Sequence, residues 1–413
     1  MAREPIERIQ GGVCAPKAFR AGGVWCGIRK KQDKRDLALI LSDRECDAAA
    51  AYTTNRVKAA SILVTQEHIS SGSCRGIICN SGNANACTGE VGLDAARRMA
   101  AAAAKAFSLT PQAFAVGSTG VIGVPLPVEK VEAGMAGLAA ALSSDAAGHG
   151  AALEAIMTTD TRKKDIALEA IIDGKPVRMG AMAKGAGMIH PNMATMLCFV
   201  TTDAAIDSAL LQAALARVVR RSFNRVTVDG DTSTNDMVVV LANGAAGNKR
   251  IEAEGPAYRA FEAMLLEACV VLSKGIARDG EGATKLVACT VRGAKDEAAA
   301  EILAKSVVGS SLVKAACFGA DANWGRILCA MGYSGAEFDP QAVAVRFVSA
   351  AGEVLVCRDG ASLPFSEETA KKVLSEEELE ILVEISGAGP GTATCWGCDL
   401  TYEYVRINGD YRS

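Results

Sequence analysis

The segment Lys184-Gly-Ala-Gly-Met-Ile-His-Pro-Asn-Met-Ala-Thr-Met-Leu197 joins a lysine on a glycine-rich stretch to an Ala-Thr bond at the head of an apolar run. Peptide self-cleavage needs a hydroxyl on the residue after the scissile bond, so that an N-to-O acyl shift converts the amide into an ester that water hydrolyses. Thr195 supplies that hydroxyl. A break between Ala194 and Thr195 would leave Thr195 with a free α-amine beside its own nucleophile, the base and hydroxyl of an N-terminal threonine enzyme. The unperturbed pKa of such an amine, ~7.7 to 8.0, suits general-base work near neutrality. Pro191 and the glycines before it suit a strained approach to the bond.

Two further stretches carry groups that a threonine nucleophile would need. In Gly117-Ser-Thr-Gly-Val-Ile-Gly123 a hydroxyl stands next to a glycine whose N–H can approach a substrate closely, which makes Thr119 and Gly120 a candidate pair of oxyanion donors. The same stretch fails the spacing of a dinucleotide loop and of a P-loop. Lys184 lies eleven residues before Thr195 and is a candidate cation for a carboxylate or a phosphate. Glu281, between Gly280 and Gly282, offers an exposed carboxylate for an ammonium group. The acidic run Val228 to Asp236 lacks the spaced ligands and terminal Glu of a calcium loop, and reads as a turn rich in side-chain-to-backbone hydrogen bonds. No metal site is expected.

The three histidines, His68, His149 and His190, constrain the mechanism further. None stands in a nucleophile-elbow or cysteine-protease context, so a base other than histidine is favoured. The fourteen cysteines are spread along a chain with no export signal, which suggests buried thiols. The CxxC at Cys395 and Cys398 has no second pair at zinc-finger spacing and is read as structural.

These groups have to be positioned by a large core. Half of the 413 residues are hydrophobic, 22% are charged and the net charge is −3, so the chain is expected to be globular, without a nucleic-acid footprint. Arg29 to Arg35 is interrupted by Asp33 and reads as a solvated loop. The first residues do not form a secretory signal and no run is long enough for a membrane helix, so a soluble, cytoplasmic protein is expected.

Short apolar strands alternate with alanine-rich helices. Strands are predicted at 37–41, 61–64, 76–79, 166–172, 196–201, 237–241, 286–291 and 342–348, and helices at 93–107, 128–142, 206–221, 257–274 and 299–308. The fold class is therefore mixed α/β. The functional division falls at the Ala194/Thr195 bond, giving pieces 1–194 and 195–413. Because Met196 to Thr201 reads as a central strand, both pieces should share one core. A structural break is placed near residue 280, in the Asp279-Gly-Glu-Gly282 loop.

The 184–197 segment, with Asn80-Ser-Gly-Asn-Ala-Asn-Ala86, Thr227-Val-Asp-Gly-Asp-Thr-Ser-Thr-Asn-Asp236 and Trp396-Gly-Cys-Asp-Leu-Thr401, resembles the ornithine acetyltransferases of arginine biosynthesis. The resemblance runs from Gly11-Gly-Val-Cys-Ala-Pro-Lys17 to the end of the sequence. It implies the self-cleaving N-terminal-threonine fold of that family, with cleavage at Ala194/Thr195 into α and β chains that assemble as an α2β2 heterotetramer. It also implies a ping-pong transfer of acetyl from N2-acetyl-L-ornithine to L-glutamate through acetyl-Thr195. Thr119 and Gly120 match the oxyanion pair, and Thr158, Lys184, Thr195, Glu281, Asn408 and Ser413 match substrate contacts. No bound cofactor is implied; acetyl-CoA enters as a second acetyl donor in some members. Gly409 and Ser413 stand where the family often has Ala and Thr. The rival expectation is a self-processing amidohydrolase or aminopeptidase with the same nucleophile and water as acceptor.

Overall fold

The computed structural model describes residues 5–190 and 196–410. Nine strands form a first sheet: β1 (Glu7–Ile9), β2 (Phe19–Val24), β3 (Leu37–Tyr52), β4 (Ser73–Asn83), β5 (Phe114–Val121), β6 (Lys164–Ile172), β7 (Lys175–Lys184), β8 (Leu197–Thr202) and β9 (Met237–Ala242). Six form a second: β10 (Leu286–Ala294), β11 (Val343–Ser349), β12 (Gly352–Arg358), β13 (Ala361–Ser362), β14 (Glu378–Ile385) and β15 (Gly391–Cys398). The helices are α1 (Ala60–His68), α2 (Gly89–Phe107), α3 (Val128–Ala140), α4 (Ala146–Ile156), α5 (Ser208–Arg221), α6 (Pro256–Arg278), α7 (Glu297–Gly309), α8 (Ser311–Phe318), α9 (Trp324–Gly332), α10 (Glu367–Leu374) and α11 (Tyr402–Asp410). None of the described helices is long and apolar enough to cross a membrane.

The first sheet runs β1-β6-β7-β8-β9-β3-β4-β5, with β2 on β3. It turns on itself at β3, which pairs with β4 through Leu37–Leu41 and, past a register shift, at Cys46 and Asp47, and with β9 through Asp47–Tyr52. The two halves then stack. Alternate residues show it: Ala38 and Ile40 of β3, Ile77 and Cys79 of β4, Leu197 and Phe199 of β8, and Val239 of β9 share one inner core. Their neighbours Leu39, Ile78 and Val116 pack outward with α2 and α3, while Cys198, Val200, Val238 and Val240 pack outward with α5 and α6. The result is four layers, helix on sheet on sheet on helix. Strands covered on both faces carry continuous apolar runs rather than an alternation, which is why 37–41 and 237–241 read so plainly as strands.

The second sheet begins at Leu286 and packs one face on α7, α9 and α10 through Val287, Cys289, Val291, Phe347 and Ile381. At its edge Leu286, Trp396 and Cys398 join the core beneath α6, so that helix bridges the two sheets. The loop after α6, Asp279 to Gly282, thereby reaches the mouth between the stacked halves.

One element differs from expectation. Residues 61–64 lie in helix α1 rather than in a strand. The run Ser-Ile-Leu-Val is too short for periodicity to decide, and the exposed positions of the helix, Leu63 and Glu67, stand four residues apart as helical spacing requires.

Candidate active site

A cleft of about 330 Å³ opens where the two halves of the first sheet end. Thr119 and Gly120 come from the end of β5, Thr158 from the turn after α4, Lys184 from the end of β7, Glu281 from the loop after α6 and Asn408 from α11. Six of the nine expected site residues line this one cleft. Ala194, Thr195 and Ser413 lie outside the described residues. Met196, next to Thr195 in sequence, lines a narrow extension of the cleft with Thr119, Lys184, Ser233 and Asp236.

The inner end is built by two facing strand ends. Lys184 Nζ donates to Thr119 Oγ1 at 3.2 Å, across the gap between β7 and β5. Since that hydroxyl accepts from the ammonium, its own proton is free for a third group. Gly120 has φ +135°, and a Cβ there would lie 2.4 Å from the carbonyl carbon of Gly82 and 2.5 Å from the nitrogen of Asn83. Only glycine lets β5 come so close to β4 in that conformation. Asn235 secures the edge by donating to the carbonyls of Ala84 (2.6 Å) and Ser118 (2.8 Å).

Burial favours the neutral form of Lys184, and neighbouring Asp160 opposes it. Asp160 is itself buried, which would raise its pKa, yet Lys184, Lys164 and the Gly185 N–H hold it below the usual carboxylate range. Asp236 is pushed well up by burial, and its Oδ2 has no hydrogen-bond partner among the described residues.

The outer end is acidic. Asn408 Nδ2 donates to Glu281 Oε2 at 2.8 Å, which fixes the carboxylate against α11. Gly187 makes room: a Cβ there would meet the Glu281 carboxylate at 2.4 Å. Asp229, from the acidic run, accepts from the N–H groups of Met188 (2.7 Å) and Ile189 (2.8 Å) and from Tyr404 Oη (3.3 Å). It thereby holds Met188 at φ +57°, a conformation uncommon for a side chain of that size. The expected turn of side-chain-to-backbone bonds is present, and it also clamps the loop that leads toward residue 194.

None of the three histidines lines the cleft. His68 Nδ1 lies 2.8 Å from the Phe114 carbonyl, and His149 bridges the Val13 N–H and Asp165. His190 lies 3.0 Å from Thr227 Oγ1, with its pKa lowered to about 4 chiefly by burial. Cys395 and Cys398 are buried on β15, each as a free thiol.

Sequence reasoning missed Asp160, Asn235 and Tyr404. Asp160 stands in Thr-Thr-Asp-Thr-Arg-Lys-Lys, a string with the look of a solvated turn. A weak signal was the aspartate four residues before a lysine, but such pairs are common on surfaces.

The pattern of the ArgJ family matches residues 20–413. The arginine biosynthesis bifunctional protein ArgJ of Symbiobacterium thermophilum is 52% identical over 409 residues, which cover 99% of this chain and 100% of that protein. The protein of the same name from Bacillus subtilis is 46% identical over 414 residues, covering 100% of this chain and 99% of its own. Among solved structures, the arginine biosynthesis bifunctional protein argJ of Bacillus halodurans is similar at 50% identity and a TM-score of 0.50, covering 52% of this chain and 100% of that one. With a match over nearly all its length, the chain belongs to the ArgJ family, the ornithine acetyltransferases that its motifs resemble.

Proposed function

We propose that this chain cleaves itself between Ala194 and Thr195 and then transfers acetyl from N2-acetyl-L-ornithine to L-glutamate through acetyl-Thr195. The observation that carries the reading is the single cleft in which Thr119, Gly120, Thr158, Lys184, Glu281 and Asn408 converge, cationic at its inner end and acidic at its outer end. A substrate with an acetamide at one end and an ammonium at the other matches that polarity.

In the first half-reaction the Thr195 hydroxyl attacks the acetyl carbonyl and its proton passes to the α-amine. The Thr119 hydroxyl, already accepting from Lys184, and the Gly120 N–H stabilise the oxyanion. The tetrahedral species collapses, the C–N bond breaks, and the departing ornithine amine takes the proton. In the second half-reaction the glutamate amine attacks acetyl-Thr195 and regenerates the hydroxyl. Glu281, fixed by Asn408, meets the distal ammonium of ornithine. The relatives' names place them in arginine biosynthesis, which supports the same role here. An α2β2 heterotetramer in the cytoplasm, without a bound cofactor, completes the proposal. The Bacillus halodurans chain covers 52% of this one, about the share that one product of such a cut would have.

Intact mass measurement of the purified protein and of Thr195→Ala tests the reading. The parent should give fragments 1–194 and 195–413, and the variant one uncut chain with no acetyl transfer. An uncut, active parent removes the amine from the mechanism. With radiolabelled acetylornithine and glutamate, acetylglutamate should form faster than acetate; the reverse order makes the enzyme a hydrolase. Whether acetyl-CoA also donates is read from the same assay with acetyl-CoA as label.

A further inference from the structure

Beneath the cleft runs a buried chain of charges to which the acetyl-transfer steps assign no part. Lys164, at the start of β6, places its ammonium 2.7 Å from Asp160 Oδ1 and 2.5 Å from Asp279 Oδ2, and all three side chains are at most 2% exposed. Buried ion pairs are weak evidence for stability in themselves, because desolvation offsets their attraction. Their placement is therefore the informative part.

The two carboxylates differ in what else they hold. Asp279 accepts from the Thr161 N–H, the Thr161 hydroxyl and the Arg162 N–H, all on the turn before β6 and outside the cleft. Asp160 accepts from the Gly185 N–H at 2.7 Å and from the Thr158 N–H at 2.9 Å. One carboxylate thus fixes the backbone beside Lys184 and the backbone of Thr158, two cleft residues from separate elements.

Asp160 also differs in charge from the other groups that act most on Lys184. The titratable groups that face Lys184 are Asp160 from the turn after α4, Lys164 from β6, Asp236 from the segment before β9 and Cys79 from β4. Lys164 repels it. Cys79 is pushed up to about 12 by burial and is a neutral thiol near neutral pH. Asp236 is driven toward its neutral form by burial. Of these two carboxylates, Asp160 is the one held below the usual range, against burial, by Lys184 and Lys164 and by the Gly185 N–H.

We propose that Asp160 is a positioning residue: it supplies the counter-charge of Lys184 and sets the register of β7 so that the ammonium meets Thr119. This inference rests on the acetyl-transfer reading, in which Lys184 acts as a cation at the carbonyl end. Asp160→Asn removes the charge and keeps an oxygen for the Gly185 N–H, while Asp279→Asn breaks the same ion chain at a carboxylate whose own backbone partners are Thr161 and Arg162 rather than Gly185 or Thr158. Asp160→Asn should move the alkaline limb of kcat/KM down by about one pH unit and lower kcat more than it raises KM. Asp279→Asn should lower the thermal midpoint and keep the parent's pH profile. Matching profiles for the two variants, or an unmoved limb in Asp160→Asn, overturn the proposal.

A second readout needs no turnover. The rate at which cyanate carbamylates Lys184, followed by peptide mass spectrometry against pH, reports the neutral amine; its midpoint should fall in Asp160→Asn and stay fixed in Asp279→Asn. If Asp160→Asn does not accumulate, Asp160→Ser, neutral and smaller, carries the same expectation. A parent without acetyl transfer sinks the functional reading, whereas an unmoved carbamylation midpoint sinks only this inference.

Discussion

The two sheets are built from the same kinds of strand, yet their interiors differ. In the second sheet the covered face holds Val287, Val291, Val345, Phe347, Ile381 and Val383, an apolar filling throughout. At the cleft end of the first sheet the equivalent buried positions go to Ser118, Thr119, Asp160, Lys164, Asp236 and Asp279. Even the buried lysines follow this division. Lys285 and Lys314, which tie the second sheet's surroundings together, donate to backbone carbonyls, whereas Lys164 meets two carboxylates. A packed interior gives stability, and a charged one gives geometry and a field at the cost of desolvation. The first sheet holds its charges because four packed layers stand behind them.

This contrast can be broken or sharpened by substitution. The largest expected effect lies in the apolar sheet: Phe347→Ala should lower unfolding free energy by about 3–5 kcal/mol, seen in denaturant melts, and leave kcat within about twofold of the parent. If kcat collapses as well, the two regions are not separable. Lys184→Met should do the reverse, lowering kcat by about 10² to 10³ with little loss of thermal midpoint, since it removes a cation that burial already disfavours. An unchanged kcat would leave Thr119 without need of its partner. Gly120→Ala joins both regions: the added Cβ meets the backbone of Gly82 and Asn83, and a stability loss of about 1–3 kcal/mol should accompany a fall in kcat. Glu281→Gln should raise KM for acetylornithine about tenfold and KM for a neutral acetylated analogue far less; equal rises would reject the ammonium contact.

The smallest effect concerns pH. The His149 hydrogen bond, at 3.0 Å, is the largest cause holding the Asp165 carboxyl below its usual range, against burial. A folded-state pKa below the unfolded one contributes stability that is present above the unfolded value and is lost as pH falls through the folded value. His149→Gln should therefore narrow the gap in thermal midpoint between about pH 6 and about pH 3. An unaltered gap would mean the bond does not form in solution.

Much of this was legible in residue types. Strands buried on both faces announced themselves as apolar runs, and Thr119, Gly120, Lys184 and Glu281 stood out because glycines flank or adjoin groups able to do chemistry. Thr158 and Asn408 did not: nothing in a threonine after Met157 or an asparagine near the end of the sequence marks a cleft, and only the family resemblance pointed to them. Asp160 escaped, since its lysine four residues on has a spacing common on surfaces and Gly185 meets it only through folding. The turn of β3 that stacks the sheet on itself was hidden for the same reason, because a long strand gives no local sign of which neighbour each half will take.

The pairing of β7 with β8 carries a last consequence. Lys184 lies opposite Leu197 and Met179 opposite Thr202, so the strands on either side of the proposed cut are hydrogen-bonded neighbours. Without such a cut they would be joined by one chain, and the connection would keep their mutual concentration high through any opening of the sheet. With the proposed cut the same ladder would join two molecules. Heat or denaturant that parts them sets free an edge in each fragment, and recovery becomes a bimolecular encounter that dilution opposes. Maturation would thus act as a ratchet: an intact precursor that refolds on its own becomes an enzyme whose reassembly depends on how much of it is present.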